Sequence, residues 1–445
     1  NQSAPLFWGR LLATYGEALT YTGAPETKSR SVLEQAIQSL NEEVPENEAS
    51  LGWLRTRTLG RAYNTIGYLL RTLGHYADAA HFYRSALPHF RTAEALDEQA
   101  DTLNNLAFLL ATVGDTEKAL SYINEALSLR QRLGQQHPLA LSYNTRGLIY
   151  ALAGQFEWGQ RDCLLAYNLF QEFEAPRGIG LACNGLGFIL RRRGAGWVTG
   201  RFPASEAAPF FQQADTYLQQ AVTIFSKQVV EPLRLWEAHN ELGSLYRDWG
   251  YRHQRQGDAA NARHYFHRAV DHHMKALSIT QQYNLRFQEA DTCDDLAVVW
   301  AAQEEMAKAN QWLQHCLELV PPAYRSAIDS GFANAPQQGE AYWLILGKIH
   351  LQQGIWTLRP SGLKSTIDNP TGDNIKTGIE HFCLAAIFFE RYWPGTEALN
   401  GKLEDMARYV DRIGASIDNA LDIVNQVATR YSVDLAPFLN VIKSK

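Results

Sequence analysis

Residues 102–114 read TLNNLAFLLATVG, and the same pattern returns on both sides of this stretch. Residues 62–74 read AYNTIGYLLRTLG, residues 142–154 read SYNTRGLIYALAG and residues 182–194 read ACNGLGFILRRRG, a constant period of 40 residues. The asparagines fall at Asn64, Asn104, Asn144 and Asn184, and the small residues at Gly67, Ala107, Gly147 and Gly187. Closing glycines stand at Gly74, Gly114, Gly154 and Gly194. A period of this length marks a supersecondary unit that cannot bury its apolar face alone and must stack on its neighbours.

Each unit reads as two helices. Leu103, Leu106 and Leu110 recur at helical spacing and build one buried stripe. Gly114 then ends the helix, because glycine tolerates the left-handed geometry of a helix exit. A second helix follows at once, with Ala119, Ile123 and Ala126 on one face. Small residues at Ala107 and Ala126 let two helix axes approach, while Leu103 and Leu110 fill the gaps. Tyr63, Gly67, Gly74, Ala79, Tyr83 and Ala86 hold the same places one unit earlier.

These residues carry a family resemblance. The chain resembles tetratricopeptide-repeat (TPR) proteins, whose pattern is a large residue, Leu-Gly, Tyr, Ala, Phe or Tyr, and Ala. It is most similar to the longer repeats of the kinesin-light-chain type, whose Leu-Gly, His-Pro and Asn elements stand in ALSLRQRLGQQHPLALSYNTRGLIYALAGQFEWG, residues 126–159. The resemblance covers roughly residues 8–390. It implies an all-α fold, a right-handed TPR-like α-solenoid in which antiparallel helix pairs form a superhelix. Function does not follow from the scaffold alone, because it hosts many unrelated partners.

The register continues with insertions. Asn240, Leu242, Gly243 and Gly250 repeat the first-helix pattern, as do Asp294, Leu296 and Ala297, and then Leu344, Leu346, Gly347 and Gly354. Between Gly243 and Gly257, and again between Gly257 and Ala276, seven residues are added, which lengthens both helices by about two turns and keeps the face in phase. Residues 246–280 are therefore expected to form a protruding helical hairpin. Gly, Pro and Ser make residues 195–209 a loop, and residues 359–374 read as a second one. The organisation expected is a degenerate repeat over residues 1–50 (Gly16, Gly23, Ala36, then a polar linker), repeats over 51–395, and capping helices over 396–445.

Composition narrows the function classes. A chain of 445 residues is long for one compact core, whereas a solenoid grows without that limit. The net charge is −6, and the trio Arg191–Arg193 is too short a basic run to track phosphates, so no nucleic-acid partner is expected. No apolar run reaches about 18 residues, so no membrane span is expected. The five cysteines, Cys163, Cys183, Cys293, Cys316 and Cys383, are scattered at helical positions and read as small buried residues in a reducing, cytoplasmic setting. The chain starts without methionine directly in a helical pattern, which suits an excised part of a longer protein.

Chemistry is scarce. No Walker-type phosphate loop, HExxH, paired CxxC or GxSxG elbow is present, so no catalysis, cofactor or metal is expected. The dense titratable cluster is His253, His264, His267, His272 and His273. It reads foremost as a solvated hairpin and secondarily as a pH-responsive surface; a metal site lacks a convincing ligand set.

The asparagine column carries the functional expectation. Asn64, Asn104, Asn144, Asn184 and Asn240 stand three residues before the small residue. The resemblance places that column on an inner, concave wall where such asparagines clamp cargo peptides. A carboxamide offers both donor and acceptor, so a row of them can pair with the amide groups of an extended peptide without reading its sequence. The bland alternative is that each asparagine bonds the adjacent repeat. Tyr68, Phe108 and Phe188 follow four positions on and Arg71, Arg191 and Arg247 flank them, with Arg61 at one end. Aromatics with arginines suit an extended segment with apolar anchors and acidic groups; inter-helix packing and a solvated edge are the alternatives. Trp8, Trp53, Trp158, Trp236, Trp300 and Trp312 read as mostly packing positions, with Trp249 the possible ligand contact.

Three function classes result. A sensor domain of a larger protein is favoured, since degenerate repeats with an inserted hairpin resemble the sensor arrays of STAND (NLR-like) signalling ATPases, in which an attached ATPase is released when a protein or peptide trigger binds. A stand-alone adaptor joining two proteins is the second, and an enzyme in a helical-repeat fold the third.

Overall fold

The computed structural model describes residues 4–22, 24–42, 51–196, 206–332, 335–358, 372–412 and 416–444, and all secondary structure among them is helical. The chain divides into two compact units, Asn1–Asn284 and Leu285–Lys445. The expected loop at residues 359–374 and the core of the one at 195–209 lie largely outside the described residues.

The first unit is six antiparallel helix pairs in chain order. They are α1 (Ala4–Tyr21) with α2 (Glu26–Asn41), α3 (Gly52–Thr72) with α4 (Tyr76–Thr92), and α5 (Leu96–Thr112) with α6 (Thr116–Arg132). Next come α7 (Gln136–Leu152) with α8 (Phe156–Glu172), α9 (Pro176–Ala195) with α10 (Ala207–Lys227), and α11 (Pro232–Arg255) with α12 (Ala259–Gln282). The first helices of successive pairs also pack on one another, from α1 on α3 to α9 on α11. That contact makes α3, α5, α7, α9 and α11 one continuous wall.

The 40-residue period has a concrete origin. Helices α4 to α8 are each 17 residues long and are joined by three-residue turns. Every turn from α3 to α9 holds one left-handed residue: Gly74, Glu94, Gly114, Gly134, Gly154 and Glu174. At Gly114, φ is +87°, and the next amide, Asp115 N–H, donates 2.8 Å back to Leu110 O. The same i to i−5 closure repeats down the stack, satisfying carbonyls that the helix end leaves orphaned. Gly194 departs from this rule. It lies inside α9 against the Phe211 ring, so the helix runs through it and the glycine there serves packing, not termination.

The expected stripes are the core. Leu103, Leu106, Ala119, Ile123 and Ala126 are fully buried. Gly147 shows why the column before them is small: a β-carbon there would lie 2.8 Å from Gly159 O and 2.5 Å from Cys163 Sγ. Helices α11 and α12 are 24 residues each, seven longer than the standard helix, as the spacing required. The added turns are not a separate arm without a core. Trp249 stacks on Tyr265 at 4.7 Å and is buried, and Phe266 packs on Tyr251 at 5.5 Å. Trp249 is therefore a packing residue, while Trp8, Trp53 and Trp158, expected to pack, are more than half exposed.

The second unit pairs α13 (Arg286–Ala302) with α14 (Met306–Leu319), followed by the single turn α15 (Pro322–Arg325). Helix α16 (Ala341–Leu358) pairs with α17 (Gly372–Tyr392), and Gly347 repeats the close approach by meeting Phe389. The C-terminal segment is α18 (Glu397–Arg412), α19 (Ile417–Tyr431) and α20 (Ala436–Lys443). Leu399, Leu403, Met406, Val424, Val427 and Phe438 bury one face of these helices against α17, leaving a polar outer face.

Candidate functional site

The asparagine column lies where successive first helices touch, and the structure splits it by partner. Thr102 Oγ1 lies 3.1 Å from Asn64 Oδ1, sharing its proton with the nearer Glu98 O at 2.8 Å, and Ser142 Oγ donates 3.2 Å to Asn104 Oδ1. The donors stand two positions before the next asparagine, so these bonds tie each repeat to the one following. The same position in the fourth repeat is Ala182, which has no hydroxyl. Asn144 Oδ1 accordingly has no partner among the described residues, although Asn144 is only 7% exposed. It is aimed at Gly185, where a β-carbon would come within 3.0 Å of it.

Asn184 donates through Nδ2 to Arg234 O at 3.1 Å, while its own Oδ1 is buried without a partner among the described residues. Asn240 Oδ1 meets His273 Nδ1 at 3.0 Å. The acceptor half of the column is thus turned toward the scaffold, which bears on the expectation that it offers donor and acceptor alike. Nδ2 of Asn64, Asn104 and Asn144 is the half that remains: these atoms bond nothing among the described residues. Such a donor suits a peptide carbonyl.

One group of the expected flanking residues comes together. The Arg71 guanidinium lies 5.2 Å from the Tyr68 ring and 5.7 Å from the Phe108 ring, bridging α3 and α5. Both rings are half-buried, and Arg71 has no acidic partner among the described residues. Stacking on two rings holds the guanidinium in place, and its Nε is buried without a hydrogen-bond partner among the described residues. Phe188 stands apart from this group and is capped by Arg192 at 5.3 Å.

The other arginines are already engaged. Arg191 binds Glu241 at 2.8 Å and Asp248 at 3.0 Å, and Arg247 lies 3.3 Å from Asp248. Burial works against the Arg191 charge, but Glu241 and Asp248 more than offset it and raise its pKa. Arg191 therefore braces α9 to α11, and Arg247 shares Asp248 with it within α11, so neither is left unpaired to flank the aromatics. Arg61 is likewise paired, with Glu17 of α1.

Two residues that pattern reading missed hold the wall in place, one on it and one behind it. Arg234 of α11 is held by Glu237; burial opposes its charge, yet Glu237, with Tyr68 and Glu231 nearby, raises its pKa. Arg130 is almost wholly buried and spans three elements, reaching Asp101, Pro138 O at 2.7 Å and Ser142. Neither stands in the asparagine register, so no periodic signal marks them. The hydroxyl positions Thr102 and Ser142 do share a register, and that signal was available.

The histidine cluster is not a solvated surface. His264 and His267 are exposed, but His272 and His273 are buried. His239 Nδ1 and His272 Nδ1 lie 3.1 Å apart. Burial, with Lys275 adding, lowers the His239 pKa to about 4; burial and the neighbouring cations lower His272 to about 3. No group of three His, Cys, Asp or Glu among the described residues could hold a metal. All five cysteines are free and buried.

The second unit carries an acid cluster in the matching register. Asp294, at the asparagine position, is buried with Oδ1 unpartnered among the described residues, while Lys348 reaches its other oxygen at 3.3 Å and Asp291 at 2.6 Å. Burial raises the Asp294 pKa to about 6 against the pull of Lys348.

Comparison with known proteins agrees with the helix pairing. Tetratricopeptide-repeat family models match residues 60–87 and 98–157. No curated protein sequence matches the chain. A Rap protein complexed with competence and sporulation factor is similar in structure, with a TM-score of 0.52, 10% identity, 99% of this chain covered and 100% of that one. BtubC from P. vanneervenii aligns over 58% of this chain and 91% of its own at 19% identity and a TM-score of 0.36. A STAND protein with a tetratricopeptide-repeat sensor from Pyrococcus horikoshii aligns over 94% of this chain and 52% of its own, at 12% identity and a TM-score of 0.39. At these identities the likeness concerns the fold. Residues 60–87 and 98–157 are tetratricopeptide repeats, set in an all-helical stack of sequential pairs.

Proposed function

We propose that the chain is a non-catalytic scaffold that binds an extended peptide segment along the wall of α3, α5, α7, α9 and α11. One observation carries this reading. Carboxamides of Asn64, Asn104 and Asn144, whose Nδ2 donors bond nothing among the described residues, recur one repeat apart beside the Tyr68–Arg71–Phe108 group, whose arginine has no acidic partner among the described residues. The donors would take backbone carbonyls, the half-buried rings would take apolar side chains, and Arg71 would take a carboxylate. The Rap protein of similar fold was solved in complex with competence and sporulation factor, which supports a binding role for such a scaffold without assigning the ligand.

The finer reading is that the scaffold is the trigger-sensing part of a larger STAND-type signalling protein. Its support is the resemblance of degenerate repeats with a lengthened hairpin, here α11 and α12, to such sensors. A stand-alone adaptor is the second reading. The full reading frame separates them: a P-loop ATPase module upstream favours the sensor, and a short complete frame the adaptor. A cytoplasmic setting suits five reduced thiols, and no helix among the described residues is long and apolar enough to cross a membrane.

The test is affinity capture from host lysate with mass-spectrometric identification, run beside an Arg71→Gln variant. Loss of the captured species with Arg71→Gln, at unchanged circular dichroism, supports the wall as the site. An identical set of captured species removes it.

A further inference from the structure

Helices α13 and α14 of the second unit line a surface cavity of about 460 Å³, within the range of small-molecule sites. Trp300 of α13 forms one wall and Trp312 of α14 another, with Lys308, Gln311, His315 and Glu318 around them. Both indoles are half-buried, and they make no ring contact with each other among the described residues. The space between them is therefore not filled by stacking.

Packing does not account for these rings. Trp300 stands three residues after the small residue Ala297, where regular repeats have Leu70, Leu110 and Leu190, all buried. Leucine meets the packing need at that place, and the larger indole extends past it into the cavity wall. Trp343 shows what a structural tryptophan does here: it is fully buried and donates its indole N–H 2.8 Å to Gln337 O. The N–H groups of Trp300 and Trp312 donate to nothing among the described residues, and the exposed Gln311 carboxamide is likewise unbonded. Two donors and a donor–acceptor group are thus unspent at one cavity.

The charges around the cavity are matched locally. Lys308 Nζ lies 4.2 Å from the Trp300 ring centroid and pairs with Glu305 at 3.5 Å. His315 lies 3.6 Å from Glu289 and 3.9 Å from Glu318. A cationic ligand would compete with Lys308 for the Trp300 face, and an anionic one would face Glu318. The lining suits a neutral ligand with flat apolar faces for the indoles and an edge of groups that both donate and accept. A pyranose has that chemistry, with C–H bonds on its faces and hydroxyls around its edge. We propose that this cavity binds a neutral saccharide, one pyranose face resting on Trp312, with Trp300 as the second wall and Gln311, His315 and Glu318 taking hydroxyls. The site is separate from the peptide wall of α3 to α11 and does not depend on it.

Saturation-transfer difference NMR of the intact chain with maltose, cellobiose, lactose and chitobiose in turn tests it, with p-toluate as the flat aromatic alternative. The expected result is transfer to the ring protons of at least one disaccharide, with a dissociation constant in the millimolar range. Trp312→Ala should weaken that binding by about tenfold, the loss of one aromatic platform. Trp300→Leu installs the residue that regular repeats carry, so circular dichroism and melting should match wild type while saccharide binding falls. Arg71→Gln, in the separate peptide wall, should leave it unchanged. No transfer to any of the four disaccharides, transfer to p-toluate alone, or saccharide binding that survives both tryptophan variants overturns the proposal.

Discussion

Thr102 Oγ1 lies 3.1 Å from Asn64 Oδ1, so the hydroxyl of one repeat closes on the carboxamide of the repeat before it. Ser142 repeats the contact on Asn104, and Ala182 cannot repeat it on Asn144. Thr102→Val and Ser142→Ala should each cost about 1 kcal/mol by removing a hydroxyl that joins two repeats, Ser142 also serving as an acceptor for Arg130. Ala182→Ser should supply the missing donor and raise stability by about 0.5–1 kcal/mol. Urea midpoints at constant slope measure all three, and a destabilised Ala182→Ser would show that the ladder has no room at that step.

Glu94 and Glu174 hold left-handed backbone at φ of +51° and +48°, where other turns of the same kind use glycine. A β-carbon costs energy there, so Glu94→Gly and Glu174→Gly should each gain roughly 0.5–1 kcal/mol. The melting temperature should rise in both, and the gains should add because the turns are distant. A fall in Tm would show that the glutamate side chains supply more than the strain removes.

The buried imidazole pair sets a pH dependence. His239 and His272 have folded pKa values of about 4 and about 3, below the ordinary 6.5, and Lys275, Arg268 and His273 also bear on the pair. Below pH 6.5 the unfolded chain takes up protons that the folded chain refuses, so stability falls as pH falls. At pH 5 each imidazole contributes a loss of about 2 kcal/mol relative to pH 8. Thermal melts between pH 8 and 5 should show the slope, and His272→Gln should flatten it. A profile identical to wild type would assign the acid sensitivity elsewhere.

Asp294 works in the opposite sense. Its folded pKa of about 6 exceeds the ordinary 3.8, so its contribution to stability is full below pH 3.8 and lost as pH rises through 6. Asp294→Asn should therefore stabilise the chain at pH 8 by about 1–3 kcal/mol, with the gain shrinking toward pH 4. Lys348 keeps its 2.6 Å bond to Asp291, so the substitution does not strand the ammonium. A variant less stable at pH 8 would mean that the Lys348–Asp294 pair outweighs the burial of the carboxylate.

Local geometry was legible in the sequence and neighbourhood was not. The period followed from 17-residue helices and three-residue turns, and the lengthened α11 and α12 followed from the seven added residues. Gly194 looked like a terminator because it matches Gly114 in register; whether a helix runs through a glycine depends on what packs there, here Phe211. His272 and His273 looked solvated because their own helix is polar, but α11 covers them. Arg191 looked free because Glu241 and Asp248 lie at least 50 residues away in the chain. The asparagine column was legible as a column. Which of its atoms face the scaffold depended on Thr102, Ser142 and Ala182.

The central claim is tested most directly at Asn144, a column member whose oxygen bonds nothing and whose Nδ2 is unbonded among the described residues. Once a captured peptide is identified, its affinity for the Asn144→Ala variant should be measured beside the melting temperature. The account predicts binding weakened by about five- to tenfold, from one lost hydrogen bond of about 1 kcal/mol, with Tm unchanged or raised because a buried unpaired acceptor is gone. Unchanged affinity with a clear drop in Tm would contradict it and make the column a structural ladder throughout.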